Sequence, residues 1–131
     1  MEFNFKKFFI WVFIIIAAGV YISRNYTFQD VLAYENKHQD WTWGPKIDYY
    51  VGGGYFLRER FPEAAGAYEQ LLTNYPTCQY APYALYRLGT AYQNLERWDK
   101  ARGAFEKYME QFPQGTEVEM VNKKYEFIKF K

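Results

Sequence analysis

The amino-acid sequence predicts an all-α protein: an N-terminal transmembrane helix, two helix-turn-helix repeats and a C-terminal capping helix, together a short α-solenoid carried on a membrane anchor. Three observations carry that expectation. Phe8 to Ile22 reads FFIWVFIIIAAGVYI, fifteen residues without a charge. From Pro45 onward the chain superimposes on itself at an offset of 37 residues. Beyond the second copy, Val118, Val121, Tyr125 and Ile128 recur at helical spacing while Glu117, Glu119, Lys123 and Lys124 stay polar. The expected organisation is an anchor over residues 1–25, a connector over 26–44, two repeats over 45–115 (45–78 and 82–115) and a cap over 116–131.

The apolar run is preceded by Lys6 and Lys7 and followed by Ser23, Arg24 and Asn25. At the helical rise of 1.5 Å per residue it spans about 22 Å, short of a hydrocarbon layer of about 30 Å, and Phe3 and Phe5 extend it only if the lysines snorkel. A cleavable signal peptide fits the same residues: Lys6 and Lys7 as a basic start, Phe8 to Ile16 as the apolar stretch, Ala17-Ala18-Gly19 as a small-residue site. The run continues through Val20, Tyr21 and Ile22, where a processed precursor turns polar, and this favours a retained anchor. Both readings stay open. With two lysines before the run and one nearby arginine after it, the N-terminus is expected in the cytoplasm and the rest outside, which in a bacterium is the periplasm.

The 131 residues allow one modest domain, of which about ninety remain after the anchor and connector to build a core. Sixteen basic and fifteen acidic residues give a net charge of +1, so no electrostatic reason exists to expect a nucleic-acid partner. Aromatic residues make up 23% of the chain; they serve cores, interfaces and membrane boundaries alike, so only position can apportion them. Cys78 is the single cysteine, which excludes an internal disulfide and a multi-cysteine metal site.

In the connector, Thr27 followed by Asp30 has the form of a capping box, and Phe28, Val31 and Leu32 share a face, so a short helix is expected there, separate from the anchor or prolonging it. Asp40-Trp41-Thr42-Trp43-Gly44-Pro45 ends it, because Gly-Pro breaks helices. Trp41 and Trp43 are possible interface residues, toward a partner or headgroups, or they pack on the first repeat.

The 37-residue offset places Gly52 on Gly89, Tyr55 on Tyr92, Ala64 on Ala101, Tyr68 on Phe105 and Pro76 on Pro113. The second copy reads Leu85-x-x-Leu88-Gly89-x-x-Tyr92, Ala101-x-x-x-Phe105, Pro113. The first copy follows suit except at Asp48, where a bulky apolar residue belongs. Small residues let paired helices approach and aromatic residues fill between them, so helices are expected at about 46–58, 62–75, 81–95 and 98–111. These motifs resemble the tetratricopeptide repeat, and the wording YAPYALYRLG is similar to bacterial cell-envelope members, among them accessory proteins of the Tol-Pal system and outer-membrane assembly lipoproteins.

The resemblance implies a right-handed superhelix whose first helices line a concave groove for peptides or partner subunits. On that template Lys46, Tyr49, Tyr50 and Gly53 of the first repeat, and Tyr83, Tyr86, Arg87, Thr90 and Asn94 of the second, face the groove. Chaperone-binding members clamp a C-terminal carboxylate with lysine and asparagine; here Tyr49 and Gly53 stand at two clamp positions, and that function is rejected despite Arg87. Gly52-Gly53-Gly54 lacks the Gly-Lys-Ser/Thr of a phosphate loop and lies inside a predicted helix, so it is expected to be a contact surface. His38 is the single histidine, and Glu63, Glu69, Glu117 and Glu119 read as solvated helix faces. No catalytic residue, metal ligand or cofactor site is therefore expected. The reading is a non-enzymatic accessory subunit, in contact with bilayer through residues 8–22 and with protein subunits of a membrane complex through its repeats; the alternative is a soluble periplasmic adaptor. Because such arrays need about three repeats to bury a continuous core, two should be completed by a larger complex, by self-association or by the connector folding back, and the apolar C-terminal tail with the tryptophans favours an intermolecular answer.

Overall fold

A computed structural model describes residues 4–38, 40 and 42–131; Trp41 lies outside the described residues. Its elements are α1 (Phe5–Asn25), α2 (Phe28–Lys37), α3 (Gly44–Leu57), α4 (Phe61–Asn74), α5 (Ala81–Asn94), α6 (Trp98–Gln111) and α7 (Val118–Ile128).

Asn4 starts α1 by accepting from the Lys7 amide at 3.2 Å. The helix is 21 residues long, is apolar through its middle, and buries none of its side chains in the protein. It is about 31 Å long from end to end, of which the uncharged run Phe8 to Ile22 supplies about 22 Å. Among the described residues α1 is the helix long and apolar enough to cross a membrane, and a signal sequence meets the same criteria. The helix is longer than the fifteen uncharged residues because it also takes in Lys6, Lys7 and the polar turn Ser23 to Asn25, whose Ser23 and Asn25 side chains donate back to the carbonyls of Val20 and Tyr21.

Tyr26 and Thr27 are extended, so α2 is a helix of its own and does not prolong α1. Thr27 and Asp30 form the full capping box, and the hydrogen bonds from Thr27, that of its backbone amide first, hold the Asp30 carboxyl below its ordinary range. Leu32 and Glu35, one turn apart, are buried against the first repeat. The connector thus folds back onto the solenoid and covers the edge that the intermolecular reading left to a partner. Gly44 and Pro45, expected as a helix breaker, instead open α3: proline at the first turn has no amide hydrogen to lose.

The two hairpins α3–α4 and α5–α6 repeat one geometry. Glu59 and Glu96, 37 positions apart, both sit in the left-handed region at φ 57° and 55°. After each, the amide of Arg60 or Arg97 donates to the carbonyl of Tyr55 or Tyr92 at 3.0 and 2.9 Å. At their far ends α4 and α6 are closed by Tyr75 and Phe112, pushed out of the helical region by Pro76 and Pro113. Within each hairpin a glycine faces an aromatic ring. A Cβ on Gly52 would stand 2.8 Å from Cε1 of Tyr68, and one on Gly89 would enter the Phe105 ring. Ala64, Ala67, Ala84, Ala91 and Ala101 are fully buried between the helices, and Tyr68, Leu71, Phe105 and Tyr108 fill what the small residues leave.

The cap α7 lays Val121 and Ile128 on α6, and Arg102 donates to the carbonyls of Ile128 and Lys131 at 3.3 and 2.8 Å. Phe127 and Phe130 remain exposed at its end.

The glycines separate packing from propensity. Gly89→Ala should lower stability by about 1–3 kcal/mol through overpacking against Phe105. Gly66→Ala on α4, where a Cβ meets nothing within 4 Å, should raise it by about 0.5–1 kcal/mol. Thermal unfolding of the two variants in detergent should move in opposite directions.

Candidate protein-binding groove

The inner helices α3 and α5 lie side by side and place their tyrosines in one continuous surface. Tyr49 is its centre: its ring stacks on Tyr80 at 4.5 Å between centroids, meets Tyr50 edge-on at 5.2 Å and Tyr83 at 5.4 Å. Burial, then the neighbouring Tyr83, raises the Tyr49 hydroxyl above its ordinary value, with Arg87 acting in the opposite direction. Tyr83 continues to Tyr86 at 6.4 Å. The guanidinium of Arg87 lies 4.5 Å from the Phe56 ring and 4.8 Å from Tyr83, a cation held between two aromatic faces. Tyr50 is exposed, and Tyr49, Tyr83, Tyr86 and Arg87 are half-buried.

Of the remaining groove positions, Lys46 lies one turn before Tyr49 and extends over the exposed Trp43 ring at 4.9 Å. Thr90 and Asn94 turn back on their own helix, donating to the carbonyls of Tyr86 and Thr90 at 2.9 and 2.8 Å. A Cβ on Gly53 would make an ordinary contact with the Tyr68 hydroxyl, at 3.9 Å. Tyr68 is wholly buried, its hydroxyl has no hydrogen-bond partner among the described residues, and burial pushes it up to about 12. Gly54 admits Phe28 of α2, whose ring meets Tyr55 edge-on at 5.4 Å, so the glycine run is a contact surface on two sides.

The wall has a sign. Lys46, Asp48 and Arg87 are the charged residues of α3 and α5, and Asp48 is fully buried on the opposite face. What reaches the groove from these helices is therefore cationic. Among the described residues no group of three or more His, Cys, Asp or Glu is placed to hold a metal ion.

Sequence reasoning missed Tyr80 and Phe56, which extend the aromatic surface from just outside the template positions. It also missed a buried polar cluster behind the groove, where Asp48 stands in the place of Leu85 of the second repeat; that substitution was the available signal. Three of the carboxylates read as solvated also have partners: Glu63 accepts from Arg60 at 2.6 Å, the exposed Glu69 from the Tyr92 hydroxyl, and the half-buried Glu117 from the Tyr108 hydroxyl at 2.8 Å.

Residues 83–115, from the start of α5 to the turn after α6, match the tetratricopeptide repeat family. The second hairpin is thus similar to a tetratricopeptide repeat. Its glycine, alanine and aromatic positions are those that pack α5 on α6, and the first hairpin reproduces them at the 37-residue offset. No curated protein matches the chain. Tetratricopeptide arrays stack into scaffolds with extended binding surfaces.

The tyrosine hydroxyls give a paired test. Tyr68→Phe removes a buried donor without a partner and should leave stability unchanged or raise it by up to about 2 kcal/mol. Tyr108→Phe removes a hydroxyl that donates to Glu117 and accepts its amide at 3.1 Å, and should lower stability by about 1–3 kcal/mol. Urea titration monitored by circular dichroism should resolve the difference in midpoint.

Proposed function

We propose that the chain is a membrane-anchored scaffold or accessory subunit, held in the bilayer by α1, whose repeats grip an extracytoplasmic segment of a protein in a multi-subunit membrane complex. The observation that carries this reading is the tyrosine wall with its two cations. Tyrosines offer large, rigid contact area at low entropic cost, and arginine clamped between rings is a preorganised hydrogen-bond donor, the residue types on which binding energy concentrates. Since neither helix brings an acidic side chain to the groove, the partner segment is acidic and carries apolar or aromatic side chains between its carboxylates. Tyr50 and Trp43, exposed at one end of the wall, extend the contact surface toward the connector.

A second reading keeps the groove and changes the address. Ala17-Ala18-Gly19 within α1 is a site for cleavage, which would leave a soluble extracytoplasmic adaptor. Intact-mass measurement of the chain isolated from its own membrane separates the two: the full mass supports the anchor, and a mass beginning near Val20 replaces it with the adaptor.

The groove is tested with a photo-crosslinking amino acid at Tyr50 or Tyr86 and, as a control, at Gly66 on the outer helix. One stoichiometric partner crosslinked from the groove positions but not from Gly66 is expected after mild-detergent purification. Tyr83→Ala and Arg87→Ala should each weaken that complex by about fivefold or more, and raised salt should weaken it further. Recovery of a lone stable monomer, or equal crosslinking from Gly66, would overturn the assignment.

A further inference from the structure

Behind the groove, where α2 meets the first repeat, two carboxyl groups are buried together. Glu35 of α2 and Asp48 of α3 are both 0% exposed. Gln70 of α4 reaches between them: its Nε2 donates to Glu35 Oε2 at 2.7 Å, to Asp48 Oδ1 at 3.1 Å and to the Leu32 carbonyl at 3.1 Å. Tyr75, closing α4, donates its hydroxyl to Glu35 Oε1. Gly44 makes the approach possible, since a Cβ there would occupy the place of the Tyr75 hydroxyl and the Glu35 carboxyl. Among the described residues neither carboxyl has an ion-pair partner, and Asp48 Oδ2 has no hydrogen-bond partner.

Four side chains from three helices thus converge where α2 is held. Apart from this cluster α2 contributes Leu32 to the core, Phe28 to Tyr55 and Arg58, and Asn36, whose Oδ1 accepts from Asn74 at 3.0 Å, a small interface. We propose that the Glu35–Asp48–Gln70–Tyr75 cluster is a proton-dependent latch that holds α2, the segment joining the apolar helix to the repeats, against the open edge of the first repeat. One proton on Asp48 removes one of two adjacent negative charges in a site that water does not reach; losing it leaves two uncompensated carboxylates there, and opening α2 rehydrates both.

The charge environment fixes the direction. Desolvation first, and the charge of Glu35 second, push Asp48 from 3.8 up to about 8, while the donation from Gln70 works the other way. Tyr75 is raised by burial and by its bond to Glu35, with Asp48 and Asp40 adding to it, so it stays a neutral donor. Lys46, the cation on α3, is exposed and lies over Trp43. Between the ordinary carboxyl value and about 8, the latched form holds one more proton than the open form. The latch is therefore tightest in acid, loosens by up to about tenfold per pH unit as pH rises through that window, and changes no further above it.

Hydrogen exchange of the full-length chain in detergent micelles, corrected for the intrinsic pH dependence of exchange, tests this. Protection of residues 28–37 should fall by close to tenfold per unit from about pH 6 to about 8 and then level off, while α5 and α6 keep theirs. Asp48→Asn, which mimics the protonated side chain, should remove the slope. Glu35→Gln removes the neighbouring charge and should move the levelling point to lower pH, so it serves if Asp48→Asn does not fold. Protection of α2 that is flat with pH in the native chain, a slope retained in Asp48→Asn, a levelling point unmoved in Glu35→Gln, or loss of α5 and α6 in parallel with α2 would each overturn the latch.

Discussion

The rest of this molecule depends on the contact of a helical glycine with an aromatic ring from the opposing helix. Gly52 under Tyr68 and Gly89 under Phe105 bring the axes of each hairpin closer than any side chain at those positions would allow. The alanines of α4, α5 and α6 can then be fully buried. Because the two contacts are equivalent, the hairpins adopt one shape and stack as copies of each other. Stacked copies in turn align the inner helices α3 and α5, which is what places Tyr49 between Tyr80 and Tyr83. The groove follows from the core.

A stack of two also has two unsatisfied ends, and both are closed by the same chemistry. At the C-terminal end Tyr108 donates to Glu117 ahead of α7, and Gly115 gives the hydroxyl room. Burial and the Glu117 bond push that hydroxyl up to about 12, so it remains a donor across the physiological range. At the N-terminal end Tyr75 donates to Glu35 of α2, and Gly44 gives the room. In each case a repeat tyrosine, a glutamate from the segment that covers it and a glycine at the turn make one lock. Between the ends, Tyr92 of α5 donates to Glu69 of α4.

Much of this architecture was legible because packing writes a periodic pattern. Glycine, alanine and aromatic positions recurring at a fixed offset identify the hairpins, and the capping box is visible in the four residues from Thr27 to Asp30. The C-terminal cap shows as a helical stripe of Val121, Tyr125 and Ile128. The locks were not legible, since each joins residues that are far apart or belong to no repeat: Glu35 and Tyr75 are 40 positions apart. A glutamate on a helix gives no local sign of whether it meets water or a buried phenol. Asp48 did stand out as a departure from the repeat pattern, but its meaning required Gln70 and Glu35, which no spacing rule connects to it. The clustering of Tyr49 with Tyr50 and Tyr83 follows helical spacing, whereas Tyr80 and Phe56 join it from flanking positions that spacing does not single out.

That Asp48 is acidic at all bears on what the N-terminal lock is for. Buried carboxyls are a poor source of stability, because desolvation costs about as much as their interactions return. Leucine at the equivalent position 85 is simply part of the core. A second apolar residue at position 48 would bind α2 by area alone, and such a contact holds equally well at every pH and tolerates small slips of the helix along the edge. The polar cluster does neither. Gln70 and Tyr75 donate to Glu35 at one position along α2, which ties the helix to one register against the first repeat, and the proposed Asp48 proton makes the fit conditional. The segment that carries this condition is the one joining the apolar helix to the repeats, so the chemistry least useful for holding the solenoid together sits between the two parts of the chain.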